Sequence, residues 1–131
     1  MGSRAPVVAR AAAVAYAAVG AYATRVAIEE EELARFGGRS YPGPASLQFL
    51  WAGTALSAPV YILAGYARAG MSGNRRALAV LAAATIAGQL GEPITWRAAN
   101  TRQRAIVAAN LILPAAILVS IRQSRRAESN R

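Results

Sequence analysis

Four apolar segments follow one another along the chain, and each is about as long as a bilayer-spanning helix. They cover residues 7–28, 45–66, 77–96 and 105–121, which matches the roughly 17–25 residues that such a helix needs. The segments 45–66 and 105–121 contain no charged residue and lack the polar face that a soluble amphipathic helix shows. The pattern predicts an all-α integral membrane protein, a four-transmembrane-helix bundle that forms a single domain over residues 1–131.

The alanine-rich first segment, residues 7–28, leaves two other interpretations open. Because alanine is only mildly apolar, the whole chain could instead form a soluble, alanine-rich helical bundle. Arg4 and Arg10, ahead of an apolar stretch that ends with Ala21 and Ala23, also match a cleavable signal peptide. The uncharged later segments favour the membrane bundle, while removal of the first segment is left open.

Polar residues mark the ends of the apolar segments. Residues 29–32 are all Glu and follow the first segment without a helix breaker, which predicts a polar helical extension over 29–36. Residues 122–131 form a basic tail. The Glu run lacks the spaced oxygen ligands and turning loop of a calcium site, so no metal is predicted there. Pro59 and Pro114 lie in mid-segment, where each removes a backbone hydrogen bond and favours a kink.

The composition agrees with this interpretation and excludes much enzyme chemistry. Apolar residues make up 55% of the chain and charged residues only 16%, whereas soluble domains are about one quarter charged. All fifteen basic residues are Arg and all six acidic residues are Glu, so the chain has no Lys, Asp, His or Cys. Disulfides, thiolate or imidazole catalysis and zinc sites of the common types are therefore excluded. We expect no cofactor, and the shortage of catalytic side chains favours a protein that is not an enzyme.

The arginines indicate an orientation. The termini and the second connection carry nine of them, and the first and third connections carry six. The positive-inside rule then places both termini in the cytoplasm, with the protein in the cell membrane. Although the net charge is +9, the arginines bracket apolar segments, so we expect no nucleic-acid partner and some affinity of the tail for anionic lipid.

One polar layer is predicted near the outer end of the bundle. Glu92 is the only acidic residue within a predicted span, and an ionisable group there indicates a functional site by default. Gln89 and Trp96 share its helix face at i−3 and i+4. The other helices reach the same depth because successive helices run in opposite directions. The predicted site joins Glu92, as a catalytic or coupling group, to these ligand-binding residues: Tyr22, Arg25, Gln48, Trp51, Gln89, Trp96 and Asn110.

This layer has two interpretations. It forms a pocket for an amphipathic ligand, or it is structural, with Glu92 paired to Arg25 or Arg97 and the aromatic rings at the membrane interface. The deeper half of the bundle offers few polar side chains: Tyr16, Ser57, Tyr61 and Thr85.

Three functions are compatible with these residues. The first is binding or transport of a lipophilic small molecule around Glu92, by a monomer or a homodimer. The second is a small membrane enzyme that uses Glu92 as a general acid on a lipid or isoprenoid. The third is a structural subunit that packs against a membrane partner. In size and plan the chain is similar to small multidrug resistance transporters, but that family carries its membrane Glu in the first helix, where this chain has none.

Overall fold

The computed structural model describes residues 3–32 and 45–131, and every regular element within those residues is an α-helix. The all-α prediction is therefore confirmed. In chain order the helices are α1 Val7–Glu29, α2 Ala45–Trp51, α3 Val60–Ser72, α4 Arg75–Gly91, α5 Ile94–Arg97 and α6 Thr101–Ser129.

The helix α1 covers the first predicted segment but ends earlier than expected. Glu30 is its C-terminal cap, and Glu31 has a φ of 52°. This left-handed conformation is incompatible with continuation of a right-handed helix. The predicted extension over 29–36 therefore stops at its first residue, and its second half lies outside the described residues.

The second predicted segment, residues 45–66, forms two helices separated by an unwound segment, residues 52–59. Gly53 has a φ of 80°, and a Cβ atom there would lie 2.5 Å from the carbonyl oxygen of Ser57. Only glycine fits this turn. Pro59 then precedes α3 as its N-cap, in an extended conformation. The proline that was predicted to kink one helix instead separates two.

The third predicted segment, residues 77–96, is also divided. Glu92 follows α4 with φ −83° and ψ 128°, which is an extended conformation. The ring of Pro93 explains it, because proline disfavours the helical conformation in the residue before it. By contrast, Pro114 lies inside α6 without ending it, so the fourth predicted segment, 105–121, is a single helix.

Four helices, α1, α3, α4 and α6, contribute to one tightly packed core. Tyr66, Leu78 and Ile117 in this core are fully buried. The ring of Tyr16 packs on that of Tyr66 with centroids 4.2 Å apart and planes tilted by 36°. The buried Tyr66 hydroxyl is satisfied by a hydrogen bond of 2.5 Å with the hydroxyl of Thr85, so the core brings α3 and α4 together through polar as well as apolar contacts.

The two chain ends meet at one end of the molecule. The hydroxyl of Ser3 donates a hydrogen bond of 2.7 Å to the carboxylate of Glu128, which also binds the guanidinium of Arg75 at 2.8 Å. Arg10 of α1 donates two hydrogen bonds of 2.9 Å to carbonyl groups near the end of α3. Such carbonyls have no partner within their own helix, so Arg10 caps α3 from the side.

Among the helices that the structure describes, α1 and α6 are long and apolar enough to cross a membrane. Only 44% of the apolar stretch of α1 and 33% of that of α6 is buried. Ile112 and Val119 of α6 are 63% and 54% exposed. This outward apolar surface is compatible with membrane association. A bundle of four transmembrane helices is not shown by the described residues, since the second and third predicted segments are each divided.

Residues that follow α1 are tied to the start of α6 at the opposite end. The carboxylate of Glu30 forms an ion pair with Arg102 and accepts a hydrogen bond of 2.6 Å from the side-chain amide of Gln103. The same amide contacts the carboxylate of Glu32 at 3.2 Å. These donors, Arg102 above all, hold the pKa of Glu30 below its ordinary value of 4.5.

Arg102→Gln is expected to change how stability depends on pH. Stabilisation by ionised Glu30 is present above the ordinary pKa and is lost as the pH falls through the lowered pKa. The melting temperature of the native protein should therefore fall as the pH is lowered from about 5 to 3. The variant should have a lower melting temperature than the native protein at neutral pH, and its melting temperature should fall less on acidification. Circular dichroism melts at several pH values measure this effect.

Arg104→Gln is the matched control for this prediction. The Arg104 side chain donates to the carbonyl of Ala98 at 3.4 Å and forms no ion pair within the described residues. Equal flattening of the pH profile by both substitutions would show that Glu30 is not the titrating group.

Candidate ligand-binding site

The unwound segment, residues 52–59, is held by its own hydroxyl groups and by α1. The hydroxyls of Thr54 and Ser57 lie 2.7 Å apart, and the Thr54 hydroxyl accepts a hydrogen bond of 3.1 Å from the backbone amide of Ser57. The hydroxyl of Thr24 in α1 is hydrogen-bonded to that of Ser57 at 2.9 Å. The backbone amide of Ala55 donates to the carbonyl of Glu32 at 3.2 Å. Several of the polar groups freed by the break in the helix are thus satisfied within the protein.

Two amide side chains connect the unwound segment to α4 and α6. Asn110 is 2% exposed, and its Nδ2 donates to the carbonyl of Leu56 at 2.7 Å and to Oε1 of Gln89 at 2.9 Å. Gln89 in turn donates from Nε2 to the hydroxyl of Thr95 at 2.7 Å. Buried amides of this kind are costly unless they are bonded. They therefore give the unwound segment one preferred position against α6.

A cavity of about 370 Å³ lies beside the unwound segment. Six of the eight residues of that segment line it, together with side chains from α1, α2, α3 and α4. Among the described residues, Glu92 is the only charged one that lines the cavity. The lining residues are Tyr16, Trp51, Ala52, Thr54, Ala55, Ser57, Ala58, Pro59, Tyr61, Ile62, Ala84, Thr85, Gly88, Gln89 and Glu92. The wall is mainly apolar and aromatic, with hydroxyl groups and one carboxylate.

A second cavity, of about 160 Å³, shares Ala55 and Glu92 with the first. Its polar lining residues are Glu32, Glu92, Arg97 and Gln103. Glu92 is 8% exposed and lies where the two cavities adjoin. The break between α4 and α5 places it there, because an extended residue turns the chain away from the axis of α4. The chemistry of the larger cavity suits an apolar ligand body, and that of the smaller one suits a polar group.

Four of the eight residues predicted for the site come together. Glu92, Gln89 and Trp51 line the larger cavity, and Asn110 bonds to Gln89. Gln48 is fully buried in α2.

The other three predicted site residues lie elsewhere. The Arg25 side chain is 78% exposed and pairs with Glu29 at 2.9 Å on its own helix, so it is not the partner of Glu92. Tyr22 is 51% exposed and does not line either cavity. Trp96 is 71% exposed because the helix break before Pro93 removes it from the face of Gln89, and its indole donates to the carbonyl of Leu90.

The cavity extends deeper than the predicted polar layer. The four polar side chains predicted for the deeper half of the bundle all line it: Tyr16, Ser57, Tyr61 and Thr85. Thr54, which is not among the predicted site residues, also contributes to the wall. A Gly, Thr and Ser cluster ahead of a proline, over residues 53–59, was the available signal, since these residues favour turns over helices.

No protein family, curated protein sequence or solved structure matches this chain. Its function is therefore inferred from its own residues and geometry.

Proposed function

We propose that this chain is a multi-pass protein of the cell membrane, with both termini in the cytoplasm, that binds or carries a lipophilic small molecule. The ligand occupies the larger cavity, and Glu92 anchors its polar group. The orientation is supported by the distribution of arginines, because nine lie at the end of the predicted bundle that carries both termini and six lie at the other end. The long apolar helices α1 and α6 support the membrane location.

The unwound segment, residues 52–59, carries the proposal. Within a bilayer, backbone that is not helical is tolerated only where protein covers it or where it lines a cavity. Here most of the unwound residues line one. Discontinuous helices also form the substrate sites of many membrane transporters, because their exposed backbone groups coordinate a ligand. An interruption that served only to bend the helix would not need a cavity beside it.

The wall of the cavity defines the chemical class of the ligand. A volume of about 370 Å³ lies within the range of about 300–1,000 Å³ that is typical of small-molecule sites. Tyr16, Trp51 and Tyr61 supply aromatic surface. Glu92 accepts hydrogen bonds when ionised, so the ligand has an apolar body and one polar group that donates a hydrogen bond.

Quenching of Trp51 fluorescence tests the proposal. The chain has two tryptophans, so Trp96→Phe leaves Trp51, which lines the cavity, as the only one. Brominated hydrocarbons with alcohol, amine or carboxylate heads are added to this variant in lipid nanodiscs. Because bromine quenches only on close approach, we expect quenching that saturates for at least one head group. Quenching that rises linearly with every probe indicates partition into lipid and contradicts the proposal.

Glu92→Gln is expected to weaken binding of the probe that donates a hydrogen bond. Gln keeps an acceptor oxygen but removes the negative charge that strengthens the hydrogen bond, by about 1 kcal/mol or more, so we expect the Kd to rise at least about fivefold. A brominated hydrocarbon without a head group should bind the variant as it binds the native protein. An equal loss for both probes would assign Glu92 to the fold rather than to ligand recognition.

A further inference from the structure

The outer face of α6 carries one row of exposed residues that changes from apolar to basic. Successive members lie three or four positions apart and therefore share one face of the helix. All are exposed: Ala108, Ile112, Ala115, Val119, Arg122 and Arg126. Buried residues of α6, such as Asn110 and Ile117, occupy the opposite face. We call the exposed set the outer row.

The length of the apolar part matches one leaflet of a bilayer. From Ala108 to Val119 the helix rises about 17 Å at 1.5 Å per residue, and one leaflet contributes about half of a 30 Å hydrocarbon core. Arg122 and Arg126 follow within the next two turns. In a spanning α6 they lie at the depth of lipid phosphates, directly below the apolar part of the row.

Neither arginine of the outer row is neutralised by an acidic side chain within the described residues. Glu128, the acid nearest in sequence, lies on the inward face of α6, where Arg75 binds it at 2.8 Å. Ser3 donates to the same carboxylate. The Glu128 carboxylate is thus engaged by Arg75 and Ser3, while the two guanidinium groups of the outer row remain exposed.

We propose that the outer row is a binding site for one anionic phospholipid. An acyl chain packs along Ala108, Ile112, Ala115 and Val119, and the two guanidinium groups bind the phosphate. Arginine suits this role because its planar fork donates paired hydrogen bonds to phosphate oxygens. Two positive charges favour a headgroup with net negative charge over a zwitterionic one. The site rests on the proposed membrane location of α6 and does not depend on the cavity.

Native mass spectrometry of the full chain, purified in detergent, tests the site. The probes are phosphatidylglycerol and phosphatidylcholine with identical acyl chains. We expect one phosphatidylglycerol to be retained at a concentration at least fivefold below that needed for phosphatidylcholine. Arg122→Gln/Arg126→Gln should raise the phosphatidylglycerol concentration for half occupancy at least fivefold and leave that for phosphatidylcholine unchanged.

Arg68→Gln/Arg131→Gln is the control, since it removes the same charge from two exposed arginines outside the outer row. Its phosphatidylglycerol concentration for half occupancy should stay within twofold of that of the native protein. Equal weakening by both pairs would indicate diffuse attraction and overturn the site, as would equal retention of the two lipids. Competition by soluble glycerol phosphate as strong as that by the lipid would show a free-phosphate site instead.

Two further measurements keep these outcomes distinct. Helical ellipticity checks that the double variant is folded. If it is not, the single variants Arg122→Gln and Arg126→Gln are compared. Each is expected to raise the phosphatidylglycerol concentration for half occupancy at least twofold. Saturable quenching of Trp51 should persist in the double variant. If the double variant lost both the saturable quenching of Trp51 and the retention of phosphatidylglycerol, the two sites would not be independent. That result would overturn the proposed site on the outer row.

Discussion

Gly88→Phe is expected to abolish saturable binding of lipophilic probes while leaving the protein folded. Gly88 lines the larger cavity, and a Cβ atom built there meets no heavy atom within 4 Å. A phenyl ring therefore has space to enter without displacing the core, and it occupies volume that the ligand needs. We expect the Kd for the best brominated probe, measured by Trp51 quenching, to rise at least about tenfold.

Val80→Phe provides the control for this occlusion. Val80 lies on the same helix, α4, but is 62% exposed and does not line the cavity. The Val80→Phe protein should bind the probe with the same Kd as the native protein. The unfolding free energy of Gly88→Phe should stay within about 1 kcal/mol of native, because replacing a helical glycine is mildly favourable. Undiminished saturable quenching in a folded Gly88→Phe protein would place the ligand outside this cavity.

Gly70→Leu is expected to destabilise the contact between α1 and α3. A Cβ atom at Gly70 would lie 3.1 Å from both the Cβ of Ala13 and the backbone oxygen of Arg10. That oxygen belongs to the main chain of α1, so a leucine side chain must push α1 and α3 apart. The movement also disturbs the bond from the Arg10 guanidinium to the carbonyl of Gly70. Overpacking of this kind costs about 3 kcal/mol, measured by reversible unfolding in mixed micelles.

Gly65→Ala on the same helix should change the unfolding free energy in the opposite direction. Its Cβ would meet only Leu81, at an ordinary contact distance of 3.6 Å. Alanine is favoured over glycine within a helix by roughly 0.5–1 kcal/mol, so this variant should be slightly more stable than native. If Gly70→Leu were as stable as Gly65→Ala, close contact between α1 and α3 would not be a determinant of the fold.

The pattern of apolar residues predicted some helices well and failed at two breaks for a physical reason. Residues 105–121 lie in one helix because Pro114 is accommodated inside α6. Residues 45–66 do not, because Gly53 takes a positive φ. Membrane helices commonly contain glycine, so apolar composition cannot distinguish a glycine within a helix from one in a turn. Pro93 was a stronger signal, since it restricts Glu92 directly.

The site was predicted in part, and the failures came from local competition. Arg25 has a partner at i+4 in Glu29, and a local pair of this kind forms without bringing two helices together. A distant pair with Glu92 would have required a particular rotation of α1. Gln89 and Asn110 could be predicted to meet at one depth, but their hydrogen bond depends on how α4 and α6 are rotated.

The sequence by itself determined the all-helical class, the absence of thiol, imidazole and amine chemistry, and Glu92 as the one acid within the predicted spans. Those properties depend on residue type and spacing alone. Only the tertiary structure decided that Glu92 lies where two cavities adjoin, that hydroxyls of the unwound segment form one wall, and that Arg25 lies outside the site. These features depend on the rotation of helices about their axes and on backbone breaks. Both are set by packing between segments distant in the chain, as when Asn110 of α6 holds the carbonyl of Leu56.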